Sequence, residues 1–98
     1  MKPHFDGETL VLPRWQFGRP QPRVPHRSYT LARSRDGVRQ YFVNTNHKKT
    51  LFWVNAIGPG FAGECSRHSM TCATRNKDLA DKWIAAVGTG KVRVSNDL

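Results

Sequence analysis

Acid is what this chain has least of. Seven aspartates and glutamates stand against sixteen lysines and arginines, a formal charge of +9 over 98 residues. An excess of that size repels itself in the compact state and favours an electronegative partner: nucleic acid, an anionic membrane or an acidic protein face. Long apolar runs are missing as well. Nothing approaches the roughly 18 consecutive apolar residues that span a bilayer, and no apolar signal region follows Met1, so the expectation is a cytoplasmic protein with no membrane role. Cysteine is scarce, and Cys65 with Cys72 cannot make a disulfide scaffold; in the cytoplasm both stay reduced. The length allows one small core and excludes two.

The apolar residues that remain are concentrated. Arg39 to Val54, RQYFVNTNHKKTLFWV, holds two runs rich in aromatic and β-branched side chains around a polar, basic connection. This reads as a β-hairpin with His47, Lys48 and Lys49 exposed at its tip. Ser28 to Arg33 alternates like a strand, and Asp36-Gly37 is a turn signal, because glycine adopts positive φ without steric cost. A second hairpin sharing the central strand follows. Thr9 to Leu12 predicts an edge strand stopped by Pro13. Met70 to Thr74 and Lys91 to Ser95 predict two further short strands.

One helix is legible. Leu79, Ala80, Trp83, Ile84 and Val87 recur on one face, Asn76 or Thr74 suits the cap, Asp78 suits the first turn, and Gly88 suits the stop. Lying across the sheet, it buries Trp83, with Phe42 and Trp53 also assigned to the core. The fold class expected is α+β: a small antiparallel sheet of three to five strands packed on one C-terminal helix. Residues 1–27 form a lead and arm, and residues 28–98 a single domain.

The arm carries its own logic. Pro13 to Arg27, PRWQFGRPQPRVPHR, holds four of the six prolines and four arginines without an acid. Proline removes backbone donors, so the segment neither pairs as a central strand nor winds as a helix. Arg19, Arg23 and Arg27 recur every fourth residue, which in polyproline II separates successive guanidinium roots by about 12 Å and turns each about 120° from the last. That geometry wraps a partner. Trp15 and Phe17 anchor the arm's start to the sheet.

Three constellations hold residue types that catalysis or ligand binding uses. Gly58-Pro59-Gly60-Phe61-Ala62-Gly63 spells G-x-G-x-x-G after an apolar strand, but no helix opens at the glycines and no acidic residue closes a following strand; a turn is the better reading. Cys65, His68 and Cys72, with His47 as a fourth ligand, have the chemistry for tetrahedral zinc yet lack the paired C-x2-C spacing that marks such sites. A cysteine–histidine pair for nucleophilic catalysis has no orienting third group. No enzyme activity, metal or cofactor is expected.

The stronger pattern is basic residues interleaved with aromatics: Arg14 with Trp15, Arg39 with Tyr41, and Lys48 and Lys49 with Phe52. Cations neutralise phosphates and rings stack bases. The candidate binding residues are Arg14, Arg19, Arg23 and Arg27 in the arm, Arg33, Arg35 and Arg39 about the first turn, His47, Lys48 and Lys49 at the tip, and Phe61 in the glycine loop as an anchor for a protein partner.

Over residues 28–87, the order strand, Asp36-Gly37 turn, strand, strand and then a Thr74 entry to a helix burying Ala80 and Trp83 resembles the sheet-on-helix plan of AP2-like and integrase arm-type DNA-binding domains. It departs from them in a long insertion, Asn55 to Ser69, and in having no G-x-W or G-x-Y start to its first strand. In size and plan the chain also resembles small accessory proteins of phages and mobile elements, among them the anti-CRISPR inhibitors. The first resemblance implies contact with DNA through the sheet or loop tip, with the arm tracking the backbone or entering a minor groove. The second implies an inhibitor docked on a nucleic-acid-processing protein complex. The partner expected is DNA or RNA, or such a complex.

Overall fold

The computed structural model describes residues 3–13, 29–37, 39–57 and 73–95. The arm arginines Arg14, Arg19, Arg23 and Arg27, with Trp15 and Phe17, lie outside the described residues. So do the glycine loop with Phe61 and the trio Cys65, His68 and Cys72.

The fold is α+β. Its elements are β1 (His4–Asp6), β2 (Thr9–Pro13), β3 (Tyr29–Asp36), β4 (Arg39–Thr45), β5 (Phe52–Ile57), β6 (Ala73–Thr74), α1 (Lys77–Gly88) and β7 (Val92–Ser95). They form two sheets where one was expected: a three-stranded sheet in the order β1-β2-β7 and a four-stranded sheet in the order β3-β4-β5-β6. All pairings are antiparallel except that of β2 with β7, which run parallel with Leu10 opposite Val92 and Leu12 opposite Val94.

Both expected hairpins form. Asp36 pairs with Arg39 across a turn where Gly37 has φ 58°, a left-handed conformation that favours glycine. The β4–β5 hairpin turns at residues 46–51, and the Asn46 side chain holds that turn from inside. Its Oδ1 accepts from the Thr50 and Leu51 backbone N–H groups at 2.8 and 3.2 Å, and its Nδ2 donates to Thr50 Oγ1 at 2.9 Å. Lys49 sits in the same turn with φ 56°.

Helix α1 begins as its sequence indicates. Asn76 is the cap residue, accepting from the backbone N–H groups of Asp78 and Leu79, while Thr74 Oγ1 accepts from the Asn76 N–H one step earlier. The helix ends at Gly88, and the hydroxyl of Thr89 donates back to the Ala85 carbonyl at 2.9 Å. Its apolar face packs across β3, β4 and β5 and reaches β2.

One core joins the two sheets and the helix. It comprises Leu10 and Leu12 from β2, Val92 from β7, Tyr41 and Val43 from β4, Val54 and Ala56 from β5, and Trp83, Ala86 and Val87 from α1. The expectation of an edge strand at Thr9 to Leu12 is therefore corrected: β2 is the central strand of its sheet. The physical reason is in its composition. Leu10, Val11 and Leu12 are all buried, so β2 has no solvent face, whereas an edge strand with one wet face alternates apolar with polar. A second correction concerns Phe42, which stands on the face of the four-stranded sheet away from the core and is only half-buried. Trp83 is buried in that core as expected; Trp53 is buried too, but it lies opposite Asn44 on the same face as Phe42, outside the core cluster.

Candidate functional site

Alternation along β3 and β4 sorts the basic residues by face. Arg33 lies opposite Phe42 and Arg35 opposite Gln40, which places both exposed arginines on the face turned away from α1. The Arg33 guanidinium carbon sits 6.0 Å from the Phe42 ring centroid, a cation–π contact. With its amide oxygen turned toward Arg35, Gln40 accepts from Nε at 3.2 Å and Nη2 at 2.7 Å. Arg39, half-buried, shares the register of Tyr41 and Val43 and belongs to the opposite face. The three arginines grouped about the first turn are thus divided between two surfaces.

The hairpin tip forms a second patch. His47, Lys48 and Lys49 are all exposed there. Strand rise puts the tip about 20 Å from Arg35 along β4. Tyr29, which the sequence did not single out, belongs to this tip. It pairs with Thr45, its hydroxyl lies 3.5 Å from His47 Nδ1, and the two ring centroids are 6.4 Å apart at an interplanar angle of 34°. At 44% exposure, Tyr29 is the exposed large hydrophobic residue among the described residues. Counting back residue for residue from the Asp36–Arg39 pair puts Tyr29 opposite Asn46, so its place beside His47 was available to register arithmetic. An irregularity between Thr30 and Ala32 moves it one position, to Thr45.

Charge is unevenly compensated. The ion pairs among the described residues are Lys77–Asp81 on α1 at 3.2 Å, Arg93–Asp6 between β7 and β1 at 3.1 Å, and Lys91–Glu8 beside them. The Lys91 ammonium, by hydrogen bond and by charge, holds the Glu8 carboxyl below its ordinary range. None of these pairs involves the four-stranded sheet. Arg33, Arg35, Lys48 and Lys49 make no ion pair among the described residues.

Toward β5 the face carrying Arg33 and Arg35 is buried rather than open: Asn44, Asn55 and Trp53 share it. Asn55 Nδ2 donates to Asn44 Oδ1 at 3.2 Å, and Asn44 Nδ2 donates to Thr30 Oγ1 at 3.4 Å. On the other side of the molecule, Phe5, Gly7, Glu8, Lys82, Ala86 and Lys91 outline a groove of about 380 Å³ between the β1–β2 turn and α1. Among the described residues no three histidine, cysteine, aspartate or glutamate side chains gather as metal ligands. No helix among them is long and apolar enough to cross a membrane. The chain matches no protein-family model, and no curated protein or solved structure is significantly similar to it.

Proposed function

We propose that the protein binds nucleic acid through the four-stranded sheet and its hairpin tip. The observation that carries this reading is the division of charge. Lys77, Lys91 and Arg93, on or beside α1 and β7, each meet an acid, while Arg33, Arg35, Lys48 and Lys49 stand on β3 and the β4–β5 tip without an ion pair among the described residues. Surface cations without an acidic neighbour repel one another, and a polyanion relieves that repulsion as it releases its condensed counterions. Phe42 beneath Arg33 and the Tyr29–His47 pair beside the lysines add rings to both patches. The two patches lie far enough apart to engage separate phosphates of one strand.

The test is an anisotropy titration of the full chain with labelled DNA and RNA across a range of salt. Four contacts give a log–log slope of at least about −2.8 on a single strand, at roughly −0.7 per phosphate, or about −3.6 on duplex, at roughly −0.9. Lys48→Gln with Lys49→Gln should make the single-strand slope shallower by about 1.4, and Arg33→Gln with Arg35→Gln by a similar amount. A flat salt dependence, or slopes indifferent to both pairs of substitutions, refutes the reading.

A further inference from the structure

We propose that the hairpin tip is a base-stacking site for single-stranded nucleic acid, with the Tyr29 ring as platform and Lys48 and Lys49 on the flanking phosphates. The inference rests on the nucleic-acid reading above and adds to it the strand state and the residue that senses the bases.

Three observations converge on it. The first is the exposure of Tyr29. Among the side chains whose burial is described, the other large apolar ones are buried or half-buried, whereas this ring is left in water beside His47 rather than folded into the core. An exposed ring flanked by cations is what a single strand needs, since every base has a π-face and every linkage a charge. A duplex cannot use it in the same way, because its bases are already stacked on one another.

The second observation is the order of the turn. Asn46 fixes it through three side-chain hydrogen bonds, and Lys49 donates its backbone N–H to the Asn46 carbonyl at 3.1 Å. The lysines therefore leave a hydrogen-bonded turn whose neighbouring residue, His47, meets Tyr29. The third is the backbone of Lys49. Its φ of 56° is a conformation in which glycine would be easier, so the lysine side chain is kept at a conformational disadvantage. A strained residue at an exposed, cationic tip fits a role for its ammonium outside the fold.

The experiment uses three labelled probes with the full chain: a thymidine oligomer of about a dozen nucleotides, an abasic oligomer with the same number of phosphates, and a duplex of similar length. Stacking on Tyr29 predicts that the thymidine oligomer binds more tightly than either of the others. Tyr29→Ala should weaken it by roughly 5- to 150-fold, the range of one base–aromatic contact, and leave the abasic oligomer unchanged. Tyr29→Phe should retain the affinity, because the ring does the work and the hydroxyl contact with His47 does not. Lys49→Gly relieves the backbone, so it should melt no lower than the parent while weakening all three probes and flattening their salt dependence.

Equal binding of thymidine and abasic oligomers, or equal losses on both with Tyr29→Ala, overturns the stacking site and leaves the electrostatic reading standing. Failure of every probe to bind at low salt overturns both. A normal melt of Tyr29→Phe with affinity lost as in Tyr29→Ala also overturns the platform, since it would assign the effect to the hydroxyl.

Discussion

Leu12→Ala puts the placement of the N-terminal strands to a severe test. Leu12 is fully buried and lies opposite Val94 across the parallel ladder, in the core that also holds Trp83. The substitution removes three carbon groups. At about 0.8 kcal/mol each, the transfer cost is about 2.4 kcal/mol. A cavity cost is added because β2 is held between β1 and β7 and cannot easily collapse inward, which brings the expected loss to about 3–4 kcal/mol. A domain of this length has only about 5–15 kcal/mol to lose. At roughly 4–8 °C per kcal/mol, the midpoint should fall by about 12–30 °C. Circular dichroism melts and urea titrations read this directly, with an exposed substitution such as Lys48→Ala held within about 0.5 kcal/mol as the control. A loss under about 1 kcal/mol for Leu12→Ala would mean that β2 does not share the core, and the two-sheet architecture would fail with it.

Two further outcomes are expected. Asn46→Ala removes the side chain that accepts from Thr50 and Leu51 inside the tip turn, and should cost about 1–2 kcal/mol in urea while speeding the amide exchange of Thr50 and Leu51. Glu8→Gln tests the Lys91 contact: a carboxyl held below its ordinary range contributes stability above its unfolded-state pKa and loses that contribution as pH falls through the lower folded value. The difference in midpoint between parent and variant should therefore be present at neutral pH, shrink below the ordinary carboxylate range and weaken with salt; a difference that grows on acidification would reverse the sign of the contact.

The parts of the fold that depend on local chemistry were legible. Asp36-Gly37 and the spacing of Ala80, Trp83 and Val87 speak through φ and through helical period, and the hairpins and helix formed where those signals put them. The second sheet was not legible, because its defining pair joins Leu10 to Val92, and no local pattern reports a parallel partner so far along the chain. The unbroken apolar triplet of β2 is the available clue, and Pro13 directly after it gives that triplet the look of a short edge. At the site, composition located Lys48 and Lys49 but not Tyr29, since the importance of that ring lies in its exposure, a property of packing rather than of residue type. Alternation would have separated Arg39 from Arg35, which proximity in sequence had joined.

The parallel pairing of β2 with β7 also orders events in time. β3, β4 and β5 pair with near neighbours and can zip as soon as each is synthesised, but Leu10 and Leu12 find Val92 and Val94 only after the intervening chain has been made. Closing so long a loop costs entropy before any contact repays it, so the β2–β7 pairing follows the local hairpins. During translation the TLVLP strand can pair with β1 at once, but its other edge stays open, apolar on both faces, until β7 has been made.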